Sequence, residues 1–511
     1  MKSVLQIIGY GAWNGGTLTD NAMYENKGLF FKGNIPVNRK TIEERIGIRT
    51  RMVAPQDTRI GITALKDLME NSDIDPARIK VVIGATNVGD DKYDVGPLIR
   101  HPFDVIKDTC PAAIPFDLYA GCPGYNVGVE LILMLSLAGV LQKDDISIIV
   151  GAENIHRCKA FSPLDTSNII FGDDSLATAL QTTASMHQPE NSIETRATRK
   201  SLKPDFLNHL AQIIFNLNGN EKIDGIIIDN KLGTLPHRVP ATAARLQHRL
   251  VEIMYPEQIK QASGFKSMLD LYDSNVDAFA FDINTLSRDP QWVKTVARAY
   301  IQSGKYQKIV SVFLPADLSV DVAVHSGGPR VFAQPEKGIV DTRTITHGCF
   351  GDYIQAVARD DDVFGDMNGK GVFLYATRGA RHHIKSLLGN NDLSVNDLDL
   401  LIEHQANFAM LPLTLEKVLA PDMKNGAPPD IKKAVVDYLA NKMITNVHAR
   451  GNCSVVCMQR LPYDLANGAL KPDAINGFPI NRNLDAQKSA KIILNDSVGA
   501  GMTRSSFLQI L

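Results

Sequence analysis

The stretch Asp117-Leu118-Tyr119-Ala120-Gly121-Cys122-Pro123-Gly124-Tyr125 constrains this chain most: an apolar run ends, a cysteine follows between two glycines, and a helical pattern begins. Ala112 to Leu118 reads as a short buried strand. Val127, Leu131, Met134, Leu135 and Ala138 fall on one face at helical spacing, so Cys122 is predicted at a strand-to-helix turn. Unpaired N–H groups and the dipole at a helix N-terminus favour negative charge, which predicts a thiol that ionises more readily than a free one. The residues also fit a small buried thiol filling a core gap. Gly121 and Gly124 favour the reactive reading, because they let backbone approach whatever occupies the turn.

At 511 residues the chain is far beyond one minimal core, and roughly 150 residues per domain gives two or three units. Its 54 lysines and arginines against 56 acidic residues leave a net charge of −2, which points away from nucleic acid and anionic membranes as partners. Cysteines 110, 122, 158, 349, 453 and 457 lack paired metal-ligand spacing and are too sparse for a disulfide framework, so they read as free thiols in a reducing cytoplasm, with no metal site. Met1 to Gly9 is basic then apolar, but shorter than a signal segment, and reads as the first strand. Val127 to Leu141 carries Glu130 and falls short of the roughly 20 residues that span a bilayer, so a soluble, cytoplasmic protein is expected.

Strand and helix patterns alternate, as in α/β folds: a helical pattern at Ile62 to Met69, a buried strand at Ile79 to Gly84, the Cys122 helix, then a strand at Ile146 to Val150. Arg45, Arg49 and Arg51 crowd together, as a solvated surface or as a clamp for phosphate or carboxylate. Asp90, Asp91 and Asp94 read as a solvated turn or as a source of a base. Two later stretches share the character of the cysteine turn. Leu398 to Ile402 is a strand running into Glu403-His404-Gln405-Ala406-Asn407, and Arg450-Gly451-Asn452-Cys453-Ser454 opens another helix. Each alone also fits a structural histidine or a helix-capping asparagine.

Cysteine, histidine and asparagine, each at a loop that starts a helix, form a set suited to acyl chemistry. A thiolate attacks a thioester carbonyl and stores the acyl group. The imidazole and amide donate to an oxygen that becomes anionic. With these residues the sequence resembles the thiolase superfamily, most closely the ketoacyl synthases of the third type. The matching segments are Gly47-Ile48-Arg49-Thr50-Arg51, Phe116-Asp117 through Tyr125, Gly151-Ala152-Glu153, Phe171-Gly172-Asp173-Asp174, Met367 to Phe373, His404-Gln405-Ala406-Asn407, Gly451-Asn452-Cys453-Ser454 and Gly499-Ala500-Gly501-Met502-Thr503. They follow the family's order from near residue 40 to the C-terminus.

The resemblance implies an α/β fold: a five-layered αβαβα sandwich of two pseudo-symmetric halves, 1–185 carrying the nucleophile and 331–511 carrying the histidine and asparagine, in a dimer or heteromer. It implies that Cys122 accepts the acyl group and that His404 and Asn452 bind the thioester carbonyl of a malonyl-type or β-ketoacyl donor. The oxyanion hole would be the Cys122 N–H with a partner from the Gly499–Gly501 loop, and Arg51 would contact coenzyme A phosphates. Substrates would be thioesters of coenzyme A or of carrier-protein phosphopantetheine, with no permanently bound cofactor. The implied reaction is a decarboxylative Claisen-type condensation in a specialised lipid or polyketide pathway. Acyl transfer to an alcohol or amine, or a catalytically silent partner subunit, are the alternatives. The chain departs from the family pattern at Thr41, where an aromatic residue is usual, at Phe408-Ala409-Met410, where a basic residue is common, and at Val498, which replaces a phenylalanine.

The largest departure is length, mostly an excess between about residues 186 and 330, with a smaller one at Ala420 to Ala440. Phe281 lies 165 residues after Phe116 and Gly304 lies 165 after Gly139, which sets Ser287 in the place of Cys122. Ile223 to Ile228 echoes the strand at Ile79. The excess is therefore expected to be an α/β insertion, either unrelated or a degenerate copy of the N-terminal half.

Overall fold

The computed structural model describes residues 3–31, 33–55, 58–89, 104, 106–157, 169–185, 192–199, 205–232, 239–285, 290–317, 319–328, 332, 334–359, 362–420 and 431–511. Asp90, Asp91, Asp94, Cys158, Ser287 and part of the smaller excess, 421–430, lie outside them. No helix among the described residues is long and apolar enough to cross a membrane.

To one large sheet the N-terminal half contributes five strands, β1 (Leu5–Ala12), β2 (Ile79–Gly89), β3 (Ile114–Tyr119), β4 (Ile146–Glu153) and β5 (Asp174–Thr182), with helices α1 (Ile60–Asn71) and α2 (Gly124–Leu137) packed against it. Five more come from the insertion, β6 (Ile193–Arg199), β7 (Gly225–Asn230), β8 (Phe279–Thr285), β9 (Lys308–Leu314) and β10 (Val320–Ser326). Between these lie α3 (Phe206–Asn218), α4 (Thr242–Met254) and α5 (Gln291–Gln302). All ten strands join one sheet in the order β1-β5-β4-β2-β3-β8-β7-β9-β10-β6.

The central strands β2 and β7 are runs of Ile and Val, as expected of parallel strands covered on both faces. β2 is parallel to β3 and β4, and β7 is parallel to β8 and β9. On each flank the last two strands turn antiparallel, β4-β5-β1 on one side and β9-β10-β6 on the other. The two five-strand blocks meet where β3 runs antiparallel to β8, with Leu118 opposite Ile283.

The C-terminal half supplies a four-stranded sheet, in order β11 (Gly338–Thr346), β14 (Thr503–Ile510), β13 (Ile492–Gly499) and β12 (Leu400–Glu403). Helix α2 lies between this sheet and the large one, touching strands of both. Every residue of α2 is buried, as an apolar helix between two sheets must be. With α1 outside the first sheet and α6 (Gly369–Gly389) outside the second, the layers run αβαβα. The fold is the five-layered thiolase-like sandwich.

Glu130 on α2 is 1% exposed among these apolar residues. It is tolerated because Tyr306 of the insertion and Thr344 on β11 both donate hydroxyls to its carboxylate. One acidic side chain therefore ties together all three segments of the chain.

Candidate active site

Parallel strands bring their carboxyl ends to one place, and here β2, β3 and β4 deliver Asn87, the Cys122 turn and Glu153 to a single corner. From the other sheet, β12 runs into His404 and β13 ends at Gly499. Cys122, His404 and Asn452 line the same cavity, about 670 Å3 of empty space including its mouth. Most of its remaining wall is apolar, with Val88, Phe171, Met410 and Val498 among the lining side chains.

The turn around the thiol depends on glycine. Gly121 has φ +69°, and a Cβ there would sit 2.6 Å from the Ala500 backbone N and O. A Cβ on Gly499 would sit 2.4 Å from the Cys122 N. Two backbone segments from opposite halves thus touch with no room for a methyl group, which sets Cys122 against the 499–501 loop. The backbone N–H groups of Cys122 and Ala500 both reach the sulfur. Ala500, the residue between the two expected glycines, supplies the loop's donor. Gly501, at φ +78°, faces Ala244 and Pro240 of the insertion instead.

The expected easy ionisation of Cys122 is overturned. Burial pushes the thiol up to about 12 and the nearby Glu153 carboxylate adds to the rise, while the Ser454 hydroxyl and the two backbone N–H groups pull the other way. Desolvation by the largely apolar walls of the cavity that Cys122 lines outweighs the helix N-terminus.

Burial, with the Arg504 guanidinium, lowers His404 to about 4, so its ring is neutral and carries one proton to donate. Its Nδ1 is buried with no partner among the described residues. Its backbone N–H is fixed by the Asp496 carbonyl at 2.8 Å. Asn452 is oriented differently: its side-chain oxygen accepts the Ser454 N–H at 2.8 Å, and its backbone N–H reaches the Ile170 carbonyl at 2.7 Å. With the oxygen used, the amide N–H groups remain for the cavity.

Three residues of this corner have a role that the sequence alone does not announce. Ser454 donates to Cys122 Sγ at 3.4 Å, Asn87 Nδ2 donates to Ser454 Oγ at 2.9 Å, and Glu153 takes the Asn87 side chain at 2.7 Å. Ser454 and Glu153 end the stretches Gly451-Asn452-Cys453-Ser454 and Gly151-Ala152-Glu153, and that adjacency is the signal the sequence carries. Val239, a wall residue from the insertion, had none.

Arg51 is corrected. It is 0% exposed, its guanidinium is held by Tyr24, Asn21 and the Ile169 carbonyl, and it lies over the Tyr24 ring. An arginine enclosed in this way presents no face to a phosphate. Arg49 pairs with Glu43 and Asp473 at 2.6 Å each, and the exposed Arg45 lies over Phe31. Phe408 is buried in the C-terminal core against Gly47, and Thr41 closes a capping box with Asn38.

No family model matches the chain. Among curated proteins it is 28% identical over 156 residues to the β-ketoacyl-[acyl-carrier-protein] synthase III of Pseudoalteromonas atlantica, covering 27% of this chain and 49% of that protein. The chain thus spans about half the length of that relative. Among solved structures it superposes on the 3-oxoacyl-(acyl carrier protein) synthase III of Pseudomonas aeruginosa with a TM-score of 0.52 at 14% identity, covering 99% of this chain and 98% of that one. The corresponding enzyme of Aquifex aeolicus gives 0.51 at 14% identity, covering 99% and 100%. These identities bear on the fold alone. The chain has the thiolase-type fold, and in sequence and structure it is similar to the β-ketoacyl-[acyl-carrier-protein] synthase III proteins.

Proposed function

We propose that this chain is a decarboxylative condensing enzyme that holds an acyl group on Cys122 and extends it with a malonyl- or β-ketoacyl-thioester. The observation that carries the reading is the convergence of Cys122, His404 and Asn452 on one largely apolar cavity. The thiol attacks the first thioester, and the N–H groups of Cys122 and Ala500 receive the developing oxyanion. Once the acyl group is stored and the first thiol has left, the second thioester places its carbonyl oxygen between the His404 and Asn452 donors. Loss of CO2 from the free carboxylate of a malonyl-type donor leaves an enolate held by those donors, and its carbon attacks the Cys122 thioester, forming the new carbon–carbon bond and freeing the cysteine. Neutral donors suit this step, since they stabilise the enolate without protonating its carbon.

Both substrates would be thioesters of coenzyme A or of carrier-protein phosphopantetheine, and the long insertion fits a specialised lipid or polyketide pathway. Incubation with acyl-CoA, read by intact mass, is expected to give one acyl adduct that Cys122→Ala cannot form. Adding malonyl-CoA is then expected to release CO2 with loss of the adduct. An adduct discharged by alcohols or amines without CO2 would favour simple acyl transfer. No adduct with any thioester would favour a silent partner subunit.

A further inference from the structure

We propose that residues 193–326 are a second, degenerate copy of the N-terminal half, docked on the first about an internal two-fold axis as its fixed partner, and that this copy sets the depth of the site's pocket through Val239. The order β1-α1-β2-β3-α2-β4-β5 recurs as β6-α3-β7-β8-α5-β9-β10. The sheet order is its own mirror about the β3–β8 junction, and the strand directions match pair by pair. At the junction Leu118 faces Ile283, its own counterpart at the offset of 165 residues, while Asp117 faces Asn284 and Tyr119 faces Asp282. A strand pairing antiparallel with its own equivalent is the geometry of an isologous contact between two identical chains, here made within one.

The copies have diverged where their surroundings differ. Helix α2 is buried at every position between the two sheets, whereas α5 carries Lys294 and Arg298, both ion-paired to Glu194. The insertion meets the site directly. The Asp282 carboxylate accepts the Thr242 and Ala243 N–H groups at 2.8 Å each and so anchors the start of α4. Ala244 of that helix packs on Gly501, and Val239 just before it lines the cavity that holds Cys122.

The test is alkylation of Cys122 in the full chain by iodoacetamide and by N-alkyl iodoacetamides of increasing length, a readout that does not depend on the condensing reading. In Val239→Trp the rate with long-chain reagents is expected to fall at least tenfold relative to iodoacetamide, and in Val239→Ala the longest reagent that reacts should lengthen. An unchanged length profile in both variants would overturn the proposal. So would labelling that is lost on dilution together with dissociation of a dimer in sedimentation, because the pocket would then be completed by another chain.

A different observation, the hydrogen-bonded file at the thiol, carries a second inference. We infer that Glu153, acting through Ser454, accepts the thiol proton when Cys122 attacks. The Ser454 hydroxyl donates to Cys122 Sγ at 3.4 Å, and Asn87 Nδ2 spans Ser454 Oγ at 2.9 Å and the Glu153 carboxylate at 2.7 Å, which sets the Ser454 hydroxyl beside that carboxylate. Asn87 holds the pair in place through its side chain and its backbone N–H. When the Ser454 hydroxyl turns its hydrogen from the sulfur to Glu153, the S–H proton passes to Ser454 Oγ as the sulfur–carbon bond forms and the Ser454 proton passes to Glu153. The departing thiolate recovers that proton, which closes the cycle with no net change at the carboxylate. Burial raises Glu153 to about 7, which makes it a base of useful strength near neutrality. The groups facing it are Thr86, Asn87 and Val88 from β2, Ser454 and Cys122, while Asp174 opposite on β5 is locked by Arg460.

Alkylation of Cys122 by iodoacetamide across pH 5.5 to 9 tests this without reference to the condensing reaction. The intact chain is expected to show an inflection near pH 7. Glu153→Gln, matched in shape, should lose the inflection and slow at least tenfold at pH 8, and Ser454→Ala should do the same with Glu153 in place. A Glu153→Gln variant of native thermal stability that keeps the parent pH profile would overturn the inference.

Discussion

The side-chain oxygen of Asn452 accepts the Ser454 N–H at 2.8 Å, so the part of Asn452 left for a ligand is its amide N–H pair. Asn452→Ala is expected to reduce CO2 release from a malonyl thioester by about 100- to 1000-fold while Cys122 still acquires its acyl group. Radiometric CO2 release beside intact mass would separate the two steps, and equal loss of both would contradict the assigned role.

Gly499 and Cys122 approach so closely that an added Cβ would stand 2.4 Å from the Cys122 N. Gly499→Ala must push the 499–501 loop away from the nucleophile turn, which displaces the Ala500 N–H from the oxyanion position. Acylation of Cys122 is expected to slow by about 100-fold, the scale of a 1 Å misplacement. Rapid-quench measurement of the acyl adduct would read it.

Tyr306 reaches across from the insertion to the buried Glu130 carboxylate. Tyr306→Phe removes that donor and is expected to destabilise the chain by about 1–3 kcal/mol, measured by denaturant unfolding. A smaller effect would show that the junction of insertion and N-terminal half is held chiefly by its apolar packing.

Burial, reinforced by Asp496, raises Glu403 from 4.5 to about 8, with Arg504 and Thr414 opposing. Between about pH 4.5 and 8 the folded chain keeps this proton after the unfolded chain has released it. The resulting stabilisation is therefore complete below 4.5 and lost as the pH rises through 8. Glu403→Gln has no such dependence. Its stability relative to the parent is expected to improve with pH by on the order of 1.4 kcal/mol per unit across that window, followed by chemical denaturation at several pH values.

The sequence by itself determined where the chemistry-bearing residues stand along the chain. The turns at Cys122, His404 and Asn452 were legible because each is a local device, an apolar run broken by small residues before a helix, and such patterns depend on neighbours in sequence. The α/β alternation and the strand at the centre of the insertion were readable on the same ground.

Tertiary structure alone decided how those devices act on one another. The direction of the Cys122 shift reversed because burial comes from segments hundreds of residues apart, and desolvation outweighs the local helix end. Arg51 looked like a ligand clamp but is enclosed by Asn21, Tyr24 and Ile169, partners that spacing does not announce. The same holds for Ser454 and Glu153 beside the thiol, and for Val239 in the pocket wall. Strand β8 pairs antiparallel with β3 because both are sheet edges with open hydrogen-bonding groups. Pairing between edges far apart in sequence is fixed only when two completed blocks meet in space.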